Sequence, residues 1–173
     1  LRSGKIIMIV NRHFLHPEYS RILSFDNYFV DGYKIEGTKT ISNEGLNENQ
    51  NMYFSVRLED GIVTSPEGEV HTKEYDKIRE LVKGIETPRF RADDEYMITG
   101  MATGINRDMI TYTRTIIEPL HVASSCKWVL SGSVEIAAEG KETAILDYGD
   151  GTCDAIATVT IGEESKEIVL RRK

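Results

Sequence analysis

Residues Cys126–Ile161, CKWVLSGSVEIAAEGKETAILDYGDGTCDAIATVTI, hold both cysteines, the single tryptophan and the densest run of turn residues in the chain. In the first part, Cys126, Trp128, Leu130, Val134 and Ile136 alternate with Lys127, Ser131, Ser133 and Glu135. Alternation with period two is the pattern of a strand with one face buried. Ala138-Glu139-Gly140 supplies a turn, with Gly140 free to take a positive φ. The apolar residues resume at Ala144, Leu146 and Tyr148, as the returning arm of a hairpin.

A three-residue loop at Ala138–Gly140 makes the numbers of opposed residues sum to 278, setting Val134 against Ala144 and Leu130 against Tyr148. Past Tyr148 the apolar parity changes: Cys153, Ala155, Ala157, Val159 and Ile161 are the inward candidates. Keeping one buried face through that change needs an extra residue, because a one-residue slip turns every side chain over. Gly149-Asp150-Gly151 accommodates such a bulge. The sum then becomes 279, the sum of 126 and 153, and the cysteines oppose each other within disulfide reach. A rival reading makes Tyr148–Gly151 a hairpin turn of its own and puts the cysteines out of step. The bulge and a Cys126–Cys153 disulfide are the favoured expectation.

Turn signals recur about every ten residues along the rest of the chain, the signature of an antiparallel all-β meander or sandwich. Lys5–Val10 (KIIMIV) reads as a strand, Asn11–Ser20 as a connection broken by Pro17, and Arg21–Val30 with Tyr33–Ser42 as a hairpin about Asp31-Gly32. Met52–Leu58 alternates as a strand, with turn signals beyond it at Asp60-Gly61 and Pro66-Glu67-Gly68. Tyr96–Ile105 and Met109–Ile117 flank a turn at Asn106–Asp108; Thr158–Ile161 pairs with Glu167–Leu170 about Gly162–Ser165. In Val70–Gly84, Tyr75, Ile78, Leu81, Val82 and Ile85 recur at helical spacing, so one short helix over 73–84 competes with a strand. Ile35-Glu36-Gly37, Ile98-Thr99-Gly100 and Leu130-Ser131-Gly132 repeat an apolar-polar-Gly step, where glycine in a strand permits close approach of a neighbouring backbone. The expected architecture is one all-β domain over 1–173 of about ten to twelve strands, with a potential sub-division near 85–95.

The 173 residues carry a formal charge of −7, with 40% apolar and 28% charged residues. That acidic balance and the lack of a Lys/Arg run argue against nucleic acid as a partner. No apolar run approaches the ~18 residues of a membrane helix. Two cysteines without a CxxC provide neither a zinc nor a redox motif. The chain opens LRSGKII, with no initiator Met and no signal peptide, as a mature or trimmed chain would.

The phrases DDEYMITGMATGINRDMITY (Asp93–Tyr112), CKWVLSGSVEI (Cys126–Ile136) and LDYGDGTCDAIATVTI (Leu146–Ile161), with SFDNYFVDGYKIEGTKTISNEG (Ser24–Gly45), resemble the uncharacterised lipoproteins encoded in numbers by gut Bacteroides and their relatives. The resemblance implies an exported outer-membrane lipoprotein, periplasmic or surface-facing, held to the membrane only through a lipid on an N-terminal Cys that this chain does not contain. It transfers no activity and no functional residue. In such relatives the segment matching Val70–Gly84 is strand-like, and KEYDKIRELVKG departs from it.

The candidate chemistry is sparse. Asp147, Asp150 and Asp154 lie around glycine turns, where calcium takes oxygen ligands, but without EF-hand spacing; solvated carboxylates at a bulge are the plainer reading, and no other cofactor is expected. His13, His16 and Glu18 form an HxxHxE cluster short of the four ligands of a structural metal site. Trp128 shares the parity of the buried positions and reads as core. Tyr28, Tyr33 and Tyr53, near turns or out of phase with their strands, are the candidates for an exposed ligand-binding aromatic face. Asp93-Asp94-Glu95 reads as a charged loop, and no GxSxG, HExxH or Cys–His pairing marks a nucleophile. The expected function is non-catalytic binding of a glycan or a protein at the cell envelope. Assembly through strand edges is the alternative, and a carboxylate-pair glycosidase a third reading that needs two acids in one cleft.

Overall fold

The computed structural model describes residues 1–171. Eleven strands follow one another as β1 (Arg2–Val10), β2 (Ser20–Val30), β3 (Tyr33–Leu46), β4 (Met52–Thr64), β5 (Val70–Lys83), β6 (Glu95–Ile105), β7 (Thr111–Ala123), β8 (Val129–Ala138), β9 (Ala144–Asp150), β10 (Ile156–Ile161) and β11 (Glu164–Val169). All belong to one antiparallel sheet whose spatial order is the sequence order. Of the two expected arrangements the chain adopts the meander, with every strand in a single sheet. The only helical segment among the described residues is a 3-10 turn at Arg91–Asp93.

A single sheet buries little. The chain exposes 11332 Å², about a third more than the ~8,600 Å² of a compact monomer of its mass. Most of the core lies on one face. Cross-strand register places Phe54, Leu81, Tyr96, Ala102, Leu120, Val134 and Ala157 on the same side, and each is buried. The sheet curls towards this inner face. One cleft of about 720 Å³ is lined from Phe25 on β2 to Ile136 on β8, strands that a flat sheet would hold about 29 Å apart.

The apolar-polar-Gly steps are where the ladder breaks. Bulges fall between Glu36 and Thr38, between Ile98 and Met101, and between Ser131 and Ser133, bracketing Gly37, Gly100 and Gly132. These three glycines have φ of 124°, 117° and 101°. A Cβ on Gly100 would stand 2.2 Å from the carbonyl oxygen of Asp76 on the neighbouring strand. The repeated step is therefore a glycine bulge used three times, and bulges bend strands and add twist, which curls an open meander.

An open choice is decided, and two pairing expectations need correction. Residues 73–83 lie in strand β5, the strand rather than the helix of the two readings. Their apolar spacing is shared between two faces, Tyr75 and Leu81 on the inner and Ile78 on the outer, and pairing on both sides outweighs a helical propensity with no partner layer to pack on. The β8–β9 loop runs over Glu139–Thr143 and opposed numbers sum to 280: Val134 faces Leu146 and Ile136 faces Ala144. The chain also does not continue from β9 to Ile161 as one arm. It reverses over Gly151–Ala155 so that Leu146 pairs with Val159, close to the rival hairpin reading. The Cys126–Cys153 disulfide nevertheless forms, with Cα atoms 5.9 Å apart, because the bend before β8 and the β9–β10 turn lie at the same end of the sheet. Trp128, expected in the strand's buried row, sits half-buried in that bend with Lys127 Nζ 5.0 Å from its ring.

Smaller differences have the same origin. Asp60-Gly61 is a bulge inside β4, with Asp60 at φ 50°, while Asp31-Gly32 is a true two-residue turn with both φ positive. The final hairpin turns on Gly162-Glu163 alone, since Ile161 faces Glu164. On either side of residues 85–95, β5 and β6 pair without interrupting the sheet.

Candidate functional site

The inner face is built around Tyr75. Alternation within β5 sends Lys73, Tyr75, Lys77, Arg79 and Leu81 to the same side. Tyr75 sits on a cross-strand rung that reads Lys39, Leu58, Tyr75, Ala102, Arg114, Ile136 from β3 to β8. Lys77 and Lys73 face Gly100 and Gly104 on β6, and the Tyr112 hydroxyl reaches past Gly104 to the Thr72 carbonyl at 3.5 Å. The ammonium groups of Lys39, Lys73 and Lys77 lie 5.9, 5.9 and 5.4 Å from the centre of the Tyr75 ring.

Charge is distributed unlike the rest of the surface. On the outer face cations meet carboxylates across strands: Arg57 with Asp76 at 2.7 Å, and Glu95 with both Lys83 at 2.6 Å and His121 at 2.9 Å. Lys39, Lys73, Lys77 and Arg114 make no ion pair among the described residues. Burial holds the Lys73 and Lys77 ammonium groups below the usual lysine range, and the positive charges of Arg114, and for Lys77 of Lys73 and Lys39 as well, add to the effect. Burial likewise pushes the Tyr148 phenol up, opposed by nearby Arg114.

Two clefts lie on this face, and Tyr75 lines the smaller of them. The smaller, about 390 Å³, is lined by Phe14, Tyr19, Phe54, Tyr75 and Tyr96 together with Arg21, Lys39, Lys77, Arg79 and Arg91, and by no carboxylate. Its end wall comes from two loops. Asn43 Nδ2 donates to the Phe14 carbonyl at 3.0 Å and ties down the β1–β2 connection, and Arg91 from the β5–β6 connection stacks 3.9 Å above the Phe14 ring. The larger cleft runs past Lys73, Tyr112 and Arg114, and its single carboxylate residue, Glu36, is paired with Lys34 at 2.8 Å. A two-acid glycosidase has no constellation in either cleft.

Tyr96 closes the aromatic end. Its hydroxyl donates to Asp94 Oδ2 at 2.9 Å, both residues are buried, and the Arg79 guanidinium lies 3.5 Å from its ring centre. Burial, and secondarily that bond to a carboxylate, push the Tyr96 phenol up to about 12. A group whose folded pKa is raised stabilises the fold below its unfolded value and loses that contribution as pH rises towards the folded value. Stability is therefore expected to fall between about pH 10 and pH 12, by at most about 3 kcal/mol from this residue. Tyr96→Phe should flatten that alkaline limb and cost about 1 kcal/mol at neutral pH by leaving Asp94 without its donor. Urea titrations of both proteins across that range check this; parallel alkaline limbs would contradict it.

The residues singled out in the sequence are dispersed. Tyr28 and Tyr33 share a face beside the β2–β3 turn, Tyr28 stacked on Phe25 at 5.5 Å and Tyr33 with Arg107 at 5.8 Å from its ring. Tyr53 lies on the outer face, opposite Glu80 at the far end of β4. All three are half-buried, and they do not form one aromatic patch. Asp147, Asp150 and Asp154 each accept a hydrogen bond from a backbone N–H two residues on, at Gly149, Thr152 and Ile156. Each carboxylate stabilises its own turn, and the two bonds from Thr152 hold the Asp150 carboxyl below the usual range. His13 and His16 likewise accept from the backbone of Leu15 and Glu18 through Nδ1. No group of three or more metal-ligating side chains occurs among the described residues. Asp93-Asp94-Glu95 is more than a charged loop, since Asp94 is buried on Tyr96 and Glu95 joins the Lys83 and His121 cluster.

The inner-face cluster escapes sequence reading because Lys39, Tyr75 and Arg114 come from three separate strands. One signal is present: Lys73, Tyr75, Lys77, Arg79 and Leu81 at strict period two. No family model, no curated protein and no solved structure matches the chain.

Proposed function

We propose that this chain is a non-catalytic recognition module of an exported cell-envelope lipoprotein, and that it binds a glycan along the inner face of its curled sheet. The observation that carries the reading is the cleft where Phe14, Tyr19, Phe54, Tyr75 and Tyr96 converge with polar side chains and no paired acids. Ligand sites are concave, mostly apolar and fitted with a few convergent polar groups, and aromatic rings offer flat apolar faces with a polar rim. Export is supported by the Cys126–Cys153 bond, which persists in oxidising compartments, and by the resemblance of Asp93–Tyr112 and Leu146–Ile161 to exported lipoproteins.

The test is a screen of the purified protein against host and bacterial glycans, repeated with Tyr75→Ala. Saturable binding that this substitution removes supports the reading; silence across the screen overturns it.

A second reading rests on the sheet edge. β1 is exposed along its length, with Ile6, Ile7, Met8, Ile9 and Val10 between 44% and 61% exposed, and one of its sides has no pairing strand. An unprotected apolar edge is a template for strand addition. The opposite edge, β11, carries Glu164, Lys166 and Glu167 and is blunted by charge. The occupant that fits is β1 of a second copy in two-fold antiparallel pairing. A concentration-dependent dimer in sedimentation velocity supports this; a monomer at all concentrations overturns it.

A further inference from the structure

We infer that the ligand of the inner face is an acidic oligosaccharide, one of whose carboxylate or sulfate groups is held between Lys39, Lys73, Lys77 and Arg114 over the Tyr75 ring. This rests on the glycan reading above and narrows it. The chain carries 28 acidic residues against 21 Lys and Arg, so a chance patch would be expected to mix signs. On the inner face Lys39, Lys73 and Lys77 converge on the Tyr75 ring, Arg114 stands on the same rung with its guanidinium 5.1 Å from the Tyr112 ring, and none of the four has a carboxylate partner among the described residues. A ring quadrupole offsets a part of that repulsion, roughly 0.5–1 kcal/mol for each exposed cation. It does not explain why this sheet pairs its outer-face cations and leaves these unpaired.

The plainer explanation is lysine stems packed on Tyr75 with their charges reaching water. It accounts for the lysine stems, and Arg114 has a ring of its own in Tyr112, but it leaves unexplained why four cations from three strands gather on one face without a carboxylate partner. Like charges held together without partners violate the consistency expected of a purely structural surface, and such violations gather at functional sites. An anion entering there gains several charge-assisted hydrogen bonds at once, while the neighbouring aromatic cleft receives the sugar rings. A short acidic saccharide fits better than nucleic acid because the unpaired cations are confined to one patch beside an aromatic cleft, while the net charge of −7 disfavours a long polyanion that must cross the rest of the surface.

The test compares probes that differ only in charge: oligogalacturonate against its methyl ester, and dextran sulfate against dextran, by calorimetric titration. The expected result is that at least one acidic probe binds about tenfold or more tightly than its neutral counterpart. That margin should shrink as salt rises from about 20 mM to about 300 mM, where screening shortens. Lys73→Met with Lys77→Met should erase the margin while raising the thermal midpoint of the free protein by about 2–4 °C. Lys77→Arg should retain the margin. A rise in midpoint with loss of binding separates a ligand site from a packing role, in which the substitutions would leave affinity untouched. Equal affinity for acidic and neutral probes, alongside a positive glycan screen, overturns the acidic assignment and leaves the glycan reading standing. No binding to any saccharide overturns both, and tighter binding of a single-stranded DNA oligomer than of either acidic saccharide overturns the assignment to a glycan.

Discussion

Replacing Cys126 and Cys153 together by alanine is expected to lower the thermal midpoint by about 10 °C. The bond joins residues 27 apart, and closing a loop of that length restricts the unfolded chain by about 3.5 kcal/mol in the chain-entropy model. For 173 residues an unfolding entropy of about 2.1 cal/mol/K per residue converts that into the stated shift. The effect should be regional as well as global. The bridge ties the bend before β8 to the β9–β10 turn, and β9, β10 and β11 are short strands with few buried residues, Ala157 being the main one. Amide exchange in β9–β11 should therefore accelerate more than in β4–β6. Calorimetry with and without reductant checks the size, and an unchanged midpoint would contradict it.

Gly100→Ala is expected to be strongly destabilising although it adds a single methyl group. At φ 117° an L side chain is strained, and its Cβ would meet the Asp76 carbonyl at 2.2 Å and Lys77 Cα at 2.7 Å. Both obstacles are backbone of a paired strand, so relief requires shifting β5 against β6 and reopening the bulge. The strain and the displaced ladder together should cost about 3 kcal/mol or more. Gly149→Ala provides the contrast: its φ is 93°, but a Cβ would meet nothing within 4 Å, so the cost should be about 1 kcal/mol. Because Gly100 faces Lys77, the first substitution should also disturb ligand binding and the second should not. Equal costs at the two positions would show that close backbone approach plays no part in shaping the sheet.

How much of this is legible in the sequence depends on the range of the interaction. Strands and tight turns depend on local rules, so Asp31-Gly32 and the alternation of Met52–Leu58 are readable directly. The glycine steps at Gly37, Gly100 and Gly132 are visible as a pattern, but that they bulge and curl the sheet depends on which neighbour lies opposite. Residues 73–84 mislead because two apolar faces of a strand can mimic one helical stripe: Ile78 belongs to the outer side and Leu81 to the inner. The disulfide is reached in the sequence through an alternation that does not run through Cys153; the cysteines meet because two turns lie at one end of the sheet, not because two strand positions oppose. The candidate site is the least legible part. Tyr28, Tyr33 and Tyr53 stand out by proximity to turns and by phase, which says nothing about convergence, whereas Tyr75 gains Lys39 from β3 only once the register is set.

Recognition as proposed above is confined to one face of this sheet, the inner one. Methyl NMR resolves the two faces of a single layer directly, because neighbouring strands present Leu58, Ile98 and Ala102 inward and Ile78 and Met101 outward. On titration with oligogalacturonate or dextran sulfate, the expected result is saturable shifts at Leu58, Ile98 and Ala102 with Ile78 and Met101 unmoved. Shifts confined to Ile78 and Met101, or to the methyl groups of β1, would contradict it.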